Sequence, residues 1–267
     1  TIASTSLTTA FPDGTPGLHA VSLSLPAKSR TLLVGANGAG KTTLLRHLAG
    51  KSLSPRGSVS VSGRDPFGSY AEGITYVGLE FALDPATAGD VSVSTLLKTL
   101  HGVGDSAGKG VLRDRTRMLL KLLSVPTTWH LARLSTGEKR RVQLLLSLIP
   151  PFTVLFLDEV TADLDILMRK RLLDFLKEET LRRDCSVVYA TNVFDQLQGW
   201  ADYVVRLRKG RVRWWGECDE RIDLGGLVLG WLEEDYQQRK DAGDGKEGEM
   251  RTYPQMRMQG RGGYGLE

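Results

Sequence analysis

The chain has 267 residues, is 41% hydrophobic and 25% charged, and carries a formal net charge of +4. This is the balance of an ordinary globular protein long enough for one large domain or two small ones. No apolar stretch approaches the roughly 18–20 residues that a membrane-spanning helix needs, and the charge is too mild to argue for a polyanionic partner. The first residues, Thr-Ile-Ala-Ser-Thr-Ser, lack an initiating Met and show neither the basic nor the apolar region of a signal peptide. Cys185 and Cys218 have no metal-ligand spacing and form no disulfide framework. They point to a reducing, cytoplasmic setting, with the nucleus left open. Cys185 opens an apolar run and reads as a small buried hydrophobe.

Short β-branched or apolar runs alternate with helical patterns as far as about residue 216. The spacing predicts strands at 20–25, 31–35, 58–62, 74–78, 153–158, 185–190, 203–207 and 212–215. Several are apolar almost throughout, as strands buried on both faces are. The run at 31–34 feeds Gly35-Ala36-Asn37-Gly38-Ala39-Gly40-Lys41-Thr42, a match to G-x-x-x-x-G-K-[ST], and a helix beginning near Thr43 leaves it. Glycines at 35, 38 and 40, with Asn37 and Ala39 between them, let backbone N–H groups turn inward around phosphate oxygens at a helix N-terminus. In such a loop Lys41 reaches the β- and γ-phosphates of a nucleotide and the Thr42 hydroxyl ligates Mg²⁺.

From about 91 to 150 the pattern becomes helical. Leu96, Leu97 and Leu100 mark one helix; Leu112, Met118, Leu119, Leu122 and Leu123 mark a second, stopped by Val125-Pro126. Ser135 and Glu138 have capping-box spacing ahead of a third helix at about 139–149. Lys139-Arg140-Arg141 reads as its solvated first turn. The strand at 153–158 then ends in Asp158-Glu159. The first carboxylate is placed to hold Mg²⁺, directly or through water, and the second to polarise an attacking water as general base. After Gly216 one more amphipathic helix is expected at 227–240, with Leu229, Trp231 and Leu232 as its apolar content. The charged, Gly-rich stretch 241–267 reads as a disordered tail. Its segment Arg257-Met258-Gln259-Gly260-Arg261-Gly262-Gly263-Tyr264 is one short Arg-Gly-Gly copy, too little to establish nucleic-acid binding.

The order of these segments resembles the nucleotide-binding domain of ATP-binding cassette (ABC) proteins, over about 7–216. The resemblance implies an α/β P-loop fold of ABC type, with a mixed core sheet, an N-terminal antiparallel β portion and an inserted helical subdomain. The corresponding division is 1–217 for the cassette (helical part about 91–150), 218–240 for an extension with one helix, and 241–267 for the tail. It implies that Leu134-Ser135-Thr136-Gly137-Glu138 is the signature loop, whose Ser135 and Gly137 bind the γ-phosphate held by a second copy. It implies too that Thr43 joins the phosphate loop in nucleotide binding, and that Asp163-Leu164-Asp165 is the D-loop after a catalytic Glu159. Phe11 stands where the family has an adenine-stacking aromatic, and that positional match favours stacking; on sequence alone an isolated Phe is more often packing. The runs Lys139-Arg140-Arg141-Val142-Gln143 and 185–191 with Phe194-Asp195 are similar to a soluble subgroup without membrane spans. That subgroup includes an ATPase associated with the fungal Ccr–Not mRNA-regulatory complex.

Two positions depart from the family pattern. Gly78-Leu79-Glu80 stands where a Gln usually contacts Mg²⁺ and a transmembrane partner; Glu80 is a substitute oxygen ligand or a solvated loop acid. Asn192 stands at the switch histidine, and a neutral carboxamide donates a weaker hydrogen bond to phosphate than an imidazolium does. The resemblance therefore implies a Mg-ATP-dependent ATPase, slowed by Asn192, working as a homodimer and coupled to a protein complex in mRNA or transcription regulation. The alternatives are the ATP-binding subunit of a membrane transporter and a nucleotide-gated scaffold with little turnover.

Overall fold

The computed structural model describes residues 1–67, 72–79, 90–102 and 109–241. Two sheets are present among them. Strands β1 (Ile2–Ala10), β2 (Pro16–Leu25) and β4 (Val59–Val61) form an antiparallel sheet in the order β2-β1-β4. The larger sheet uses β3 (Arg30–Val34), β5 (Ile74–Val77), β6 (Val154–Asp158), β7 (Ser186–Ala190), β8 (Tyr203–Arg208) and β9 (Arg211–Glu217). Its order is β5-β6-β7-β3-β8-β9, parallel except for β9, which returns antiparallel along β8. The α/β class, the mixed sheet and the antiparallel portion expected from sequence are all present. Strand β1 was not legible: Ser and Thr dominate it, and only Ile2 and Leu7 bring large apolar side chains to the core.

Six α-helices are described: α1 (Lys41–Leu48), α2 (Val93–Gly102), α3 (Lys109–Leu122), α4 (Thr136–Leu148), α5 (Ile166–Arg182) and α6 (Leu224–Asp241). The central strands β3, β6 and β7 are buried throughout, which is why they lack polar alternation. Leu155 and Leu157 of β6 face one core, built with Leu97, Leu119, Val142, Leu172, Leu224 and Val228 from α2 to α6. Val154 and Phe156 face the other, built with α1 and the antiparallel sheet through Leu44, Leu45, Leu7 and Leu23.

Two expected core positions turn outward. Met118 is exposed because α3 meets the core through Leu119 and Leu123. Leu229 is exposed because α6 begins at Leu224, and Leu224, Val228, Trp231 and Leu232 supply its inner face. No described helix is long and apolar enough to cross a membrane.

Candidate nucleotide site

β6, β7 and β3 are parallel neighbours, with Asp158 in register with Ala190 and Ala190 with Leu33. The segments leaving their C-terminal ends therefore meet at one edge of the sheet, where open α/β sheets bind ligands. β3 delivers the phosphate loop, β6 delivers Asp158-Glu159, and β7 delivers Thr191-Asn192.

Glycine is required at two points of the loop. A Cβ on Gly35 would lie 2.2 Å from the Leu207 carbonyl oxygen. Gly40 caps α1 at φ +103°, a conformation that side chains disfavour. Lys41 is then the first residue of α1, whose free N–H groups and dipole favour an anion. A cleft of about 340 Å³ opens over the loop, lined by Asn37, Gly38, Ala39, Gly40, Lys41, Thr42 and Thr43, with Glu159 on one side and Phe11, Pro16 and Gly17 on the other. Phe11 thus stands at the cleft as an exposed aromatic on the β1–β2 turn.

Lys41 is 5% exposed, and its Nζ donates to the Gly35 carbonyl at 2.7 Å and to Asn192 Oδ1 at 3.1 Å. Burial pulls its pKa down, opposed by the nearby Glu159 and Asp158 carboxylates. Glu159 Oε1 lies 3.8 Å from the ammonium. Asn192 connects the set: its Nδ2 donates to Glu159 Oε1 at 2.8 Å and to Asn37 Oδ1 at 2.9 Å. One carboxamide thereby accepts from the loop cation and donates to the carboxylate, using both ends of its dipole. Glu159 adopts a left-handed backbone, φ +53°, held by an N–H donated to the Ala190 carbonyl at 2.8 Å. Such a conformation strains a non-glycine residue, and here the Ala190 carbonyl helps to hold it.

Asp158 is 1% exposed. Its Oδ2 accepts from the Tyr76 hydroxyl at 3.0 Å, while Oδ1 has no partner among the described residues. An unpartnered buried carboxylate oxygen next to a phosphate loop fits a Mg²⁺ ion or a water bound to one. No group of three or more His, Cys, Asp or Glu is gathered among the described residues. Mg²⁺ bound there with Thr42 would neutralise charge on the β- and γ-phosphates. Tyr76 was not identified from sequence. Burial, then the Asp158 carboxylate, raise its pKa to about 12, so it stays a donor at any ordinary pH. Glu80 lies outside the described residues.

Ser135 and Gly137 stand apart from this constellation and are not among the residues lining the cleft. Ser135 caps α4 in a complete capping box: its N–H donates to Glu138 Oε2 at 2.8 Å and its Oγ accepts from the Glu138 N–H. A Cβ on Gly137 would come within 2.8 Å of the Asp163 carbonyl, so this loop lies directly against the Asp163–Asp165 turn. Asp165 caps α5 by accepting from the Met168 N–H at 2.8 Å.

The basic run after the signature loop is not a solvated turn. Arg140 is 6% exposed; its guanidinium donates to the Gly78 carbonyl at 2.8 Å, to Gln143 Oε1, and to Asp163 Oδ2 at 3.2 Å. Gln143 also donates to the Gly78 carbonyl, at 3.1 Å. Arg141 lies over the Trp129 ring, 4.9 Å from its centroid. The i, i+3 pair of Arg140 and Gln143 on the same helix as buried Val142, Leu144 and Leu145 was the available signal. Its buried position follows from the loop after β5 packing on that face of the helix.

A phosphate loop, a Mg²⁺-suited aspartate, an adjoining glutamate and a capped loop on an inserted helical unit define a P-loop nucleoside triphosphatase of cassette type. The family description "ABC transporter" matches residues 18–162, and the chain belongs to that family. It is 40% identical over 213 residues to CCR4-associated factor 16 of Saccharomyces cerevisiae, covering 74% of this chain and 71% of that one. It is 39% identical over 207 residues to ABC transporter I family member 21 of Arabidopsis thaliana, covering 76% and 73%. Among solved structures, the ATP-binding subunit of an ABC transporter superposes with a TM-score of 0.72 at 21% identity, over 90% of this chain and 99% of that one. A dimeric ATP-binding cassette, MJ0796, bound to ADP and phosphate gives 0.67 at 17% identity, over 81% and 98%. Proteins of this family bind Mg-ATP, and MJ0796 is dimeric in both of its matching structures.

Proposed function

We propose that this protein is an ABC ATPase that turns over Mg-ATP at a homodimer interface and couples that cycle to association with a protein complex. The carrying observation is the separation within one chain: Lys41, Thr42 and Glu159 line the cleft, and Ser135 and Gly137 do not. A two-fold pairing lets the Ser135–Gly137 loop of each copy close the cleft of the other. In that reading Lys41 and the loop N–H groups hold the triphosphate and Phe11 stacks on the adenine. Glu159 orients the attacking water and accepts its proton. Asn192 holds Glu159 in place and, by releasing Asn37, turns its second amide hydrogen to the γ-phosphate as a neutral donor, which makes turnover slow. The proton lost by water passes to the Glu159 carboxylate as the bond between the β–γ bridging oxygen and the γ-phosphorus breaks.

The name of the yeast relative records association with CCR4, which supports a complex in mRNA or transcription regulation as the coupled partner and a soluble, cytoplasmic or nuclear setting. The Gly78-Leu79 segment supports this over a transporter subunit: its carbonyls are engaged by the chain's own Arg140 and Gln143. The test is ATP-driven assembly. Glu159→Gln should convert from monomer to dimer on adding ATP, read by sedimentation; a variant that stays monomeric with ATP bound would count against the reading.

A further inference from the structure

A groove of about 1030 Å³ lies beside the ATP cleft, between α6 and the segments that leave β3 and β7. Asn37, Asn192 and Phe194 line one wall; Gly230, Leu232 and Glu233 of α6 line the other. Asn37 also lines the ATP cleft, so the two spaces are continuous. α6 itself lies beyond residues 18–162, which match the family.

The α6 wall is held in place. Buried Asp235 pairs with Arg206 at 2.8 Å and with Arg208 at 3.1 Å on β8, and a wall already ordered costs little to dock against. Gly230 stands inside α6, where only proline is a poorer helix former. A Cβ on it would meet nothing within 4 Å, so the packing of the chain itself does not call for glycine. The missing side chain deepens the groove and leaves room for something else.

A counterpart lies on the same surface. Ile166 and Leu167 open α5 and are 65% and 55% exposed, while Met168, Leu172 and Leu173 turn into the core. The pair follows directly on the Asp163–Asp165 turn against which the Ser135–Gly137 loop lies. Gln196 donates to the Ile166 carbonyl at 3.2 Å. The segment after β7 therefore borders the groove through Asn192 and Phe194, and the aliphatic pair through Gln196. A projection and a groove side by side form a self-complementary patch, which a two-fold axis pairs with itself. Charge agrees: Glu233 on the groove and Arg133 beside the signature loop are both exposed, and neither makes an ion pair with any described residue. We propose that the α6 groove of each copy receives Ile166 and Leu167 of the other, which makes α6 part of the ATP-bound dimer interface. The proposal rests on the homodimer reading and adds to it a docking site outside the ATP cleft.

Sedimentation of the full chain carrying Glu159→Gln, with and without ATP, reads the pairing. In that background Leu167→Ser should weaken the ATP-bound dimer about 25-fold. Covering the exposed half of a leucine is worth about fivefold, and a two-fold pair makes the contact twice. Gly230→Arg fills the groove and should weaken the dimer about tenfold or more, whereas Gly230→Ala should pair as the parent does. Thermal melting and ATP binding by the monomer check each fold; Gly230→Arg should melt no lower than the parent, because arginine is the better helix former. If Glu159→Gln stays monomeric with ATP bound, the homodimer reading falls and this proposal with it. If Glu159→Gln pairs, and Leu167→Ser and Gly230→Arg pair just as tightly in its background, the groove proposal alone is overturned. Tighter pairing of Gly230→Arg, reproduced by removing residues 242–267, would assign the groove to that segment of the same chain and overturn the proposal too.

Discussion

Arg140→Met tests whether the buried guanidinium joins three parts of the cassette: the signature helix, the loop after β5 and the Asp163 turn. Methionine keeps most of the volume and removes every donor. The short Gly78 contact is a charge-assisted bond in a dry setting, worth about 1.5–3 kcal/mol. The Asp163 pair adds less, because that carboxylate is 33% exposed and solvent screens it; about 0.5–1 kcal/mol is a fair share. Gln143 still donates to the Gly78 carbonyl, so that oxygen is not orphaned, and methionine is easier to bury than a cation. The two losses sum to about 2–4 kcal/mol, and the easier burial of methionine brings the expected loss to about 2–3 kcal/mol. Urea unfolding followed by circular dichroism reads this as a lower midpoint at unchanged slope. Asp163→Asn alone should cost less than 1 kcal/mol, and the double variant should cost less than the sum, because the two share one contact. A loss below about 0.5 kcal/mol for Arg140→Met, the range of an ordinary surface substitution, would refute the clamp.

Two further outcomes follow from the ATP site. Asn192→His restores a donor able to carry charge and should raise turnover by about ten- to a hundredfold, the rate equivalent of about 1.5–3 kcal/mol; an unchanged or lower rate in steady-state assays would sink the idea. ATP affinity should fall as pH rises through Lys41's pKa, which burial holds below the ordinary lysine value of 10.5. The sign follows from linkage: triphosphate favours the ammonium, so the bound state holds the proton to higher pH than the free state does, and binding takes up protons in that window. Calorimetry in buffers of different ionisation enthalpy would detect the uptake; proton release would contradict the assignment.

What could be read from the chain and what could not divide along a physical line. Gly35–Thr42 and Asp158-Glu159 were legible because each is local: a buried strand, then the residues that its end presents. The parallel sheet was legible for the same reason, since burial on both faces leaves nearly continuous apolar runs. Strand β1 was not, because its stability comes from pairing with β2 and β4 more than from its own apolar content. The bonds of Asn192 to Lys41, Asn37 and Glu159 join segments that leave three strands adjacent in the sheet but distant in sequence, so no spacing could show them. Tyr76 and Arg140 were missed for a related reason. Whether an isolated polar residue is solvated or buried depends on what packs over it, and for Arg140 that is the chain at Gly78 and Leu79.

Under the proposed function the cleft over Gly35–Thr42 hydrolyses ATP, and two copies are needed to do so. The most direct test is steady-state ATP hydrolysis by the purified chain across a range of protein concentrations, with Lys41→Ala and Glu159→Gln beside it and ATP binding measured in parallel. The expected result is Mg²⁺-dependent turnover that rises per chain with protein concentration and disappears in both variants, with Glu159→Gln still binding ATP. Binding without turnover in the unsubstituted chain, or turnover that survives Glu159→Gln, would contradict it.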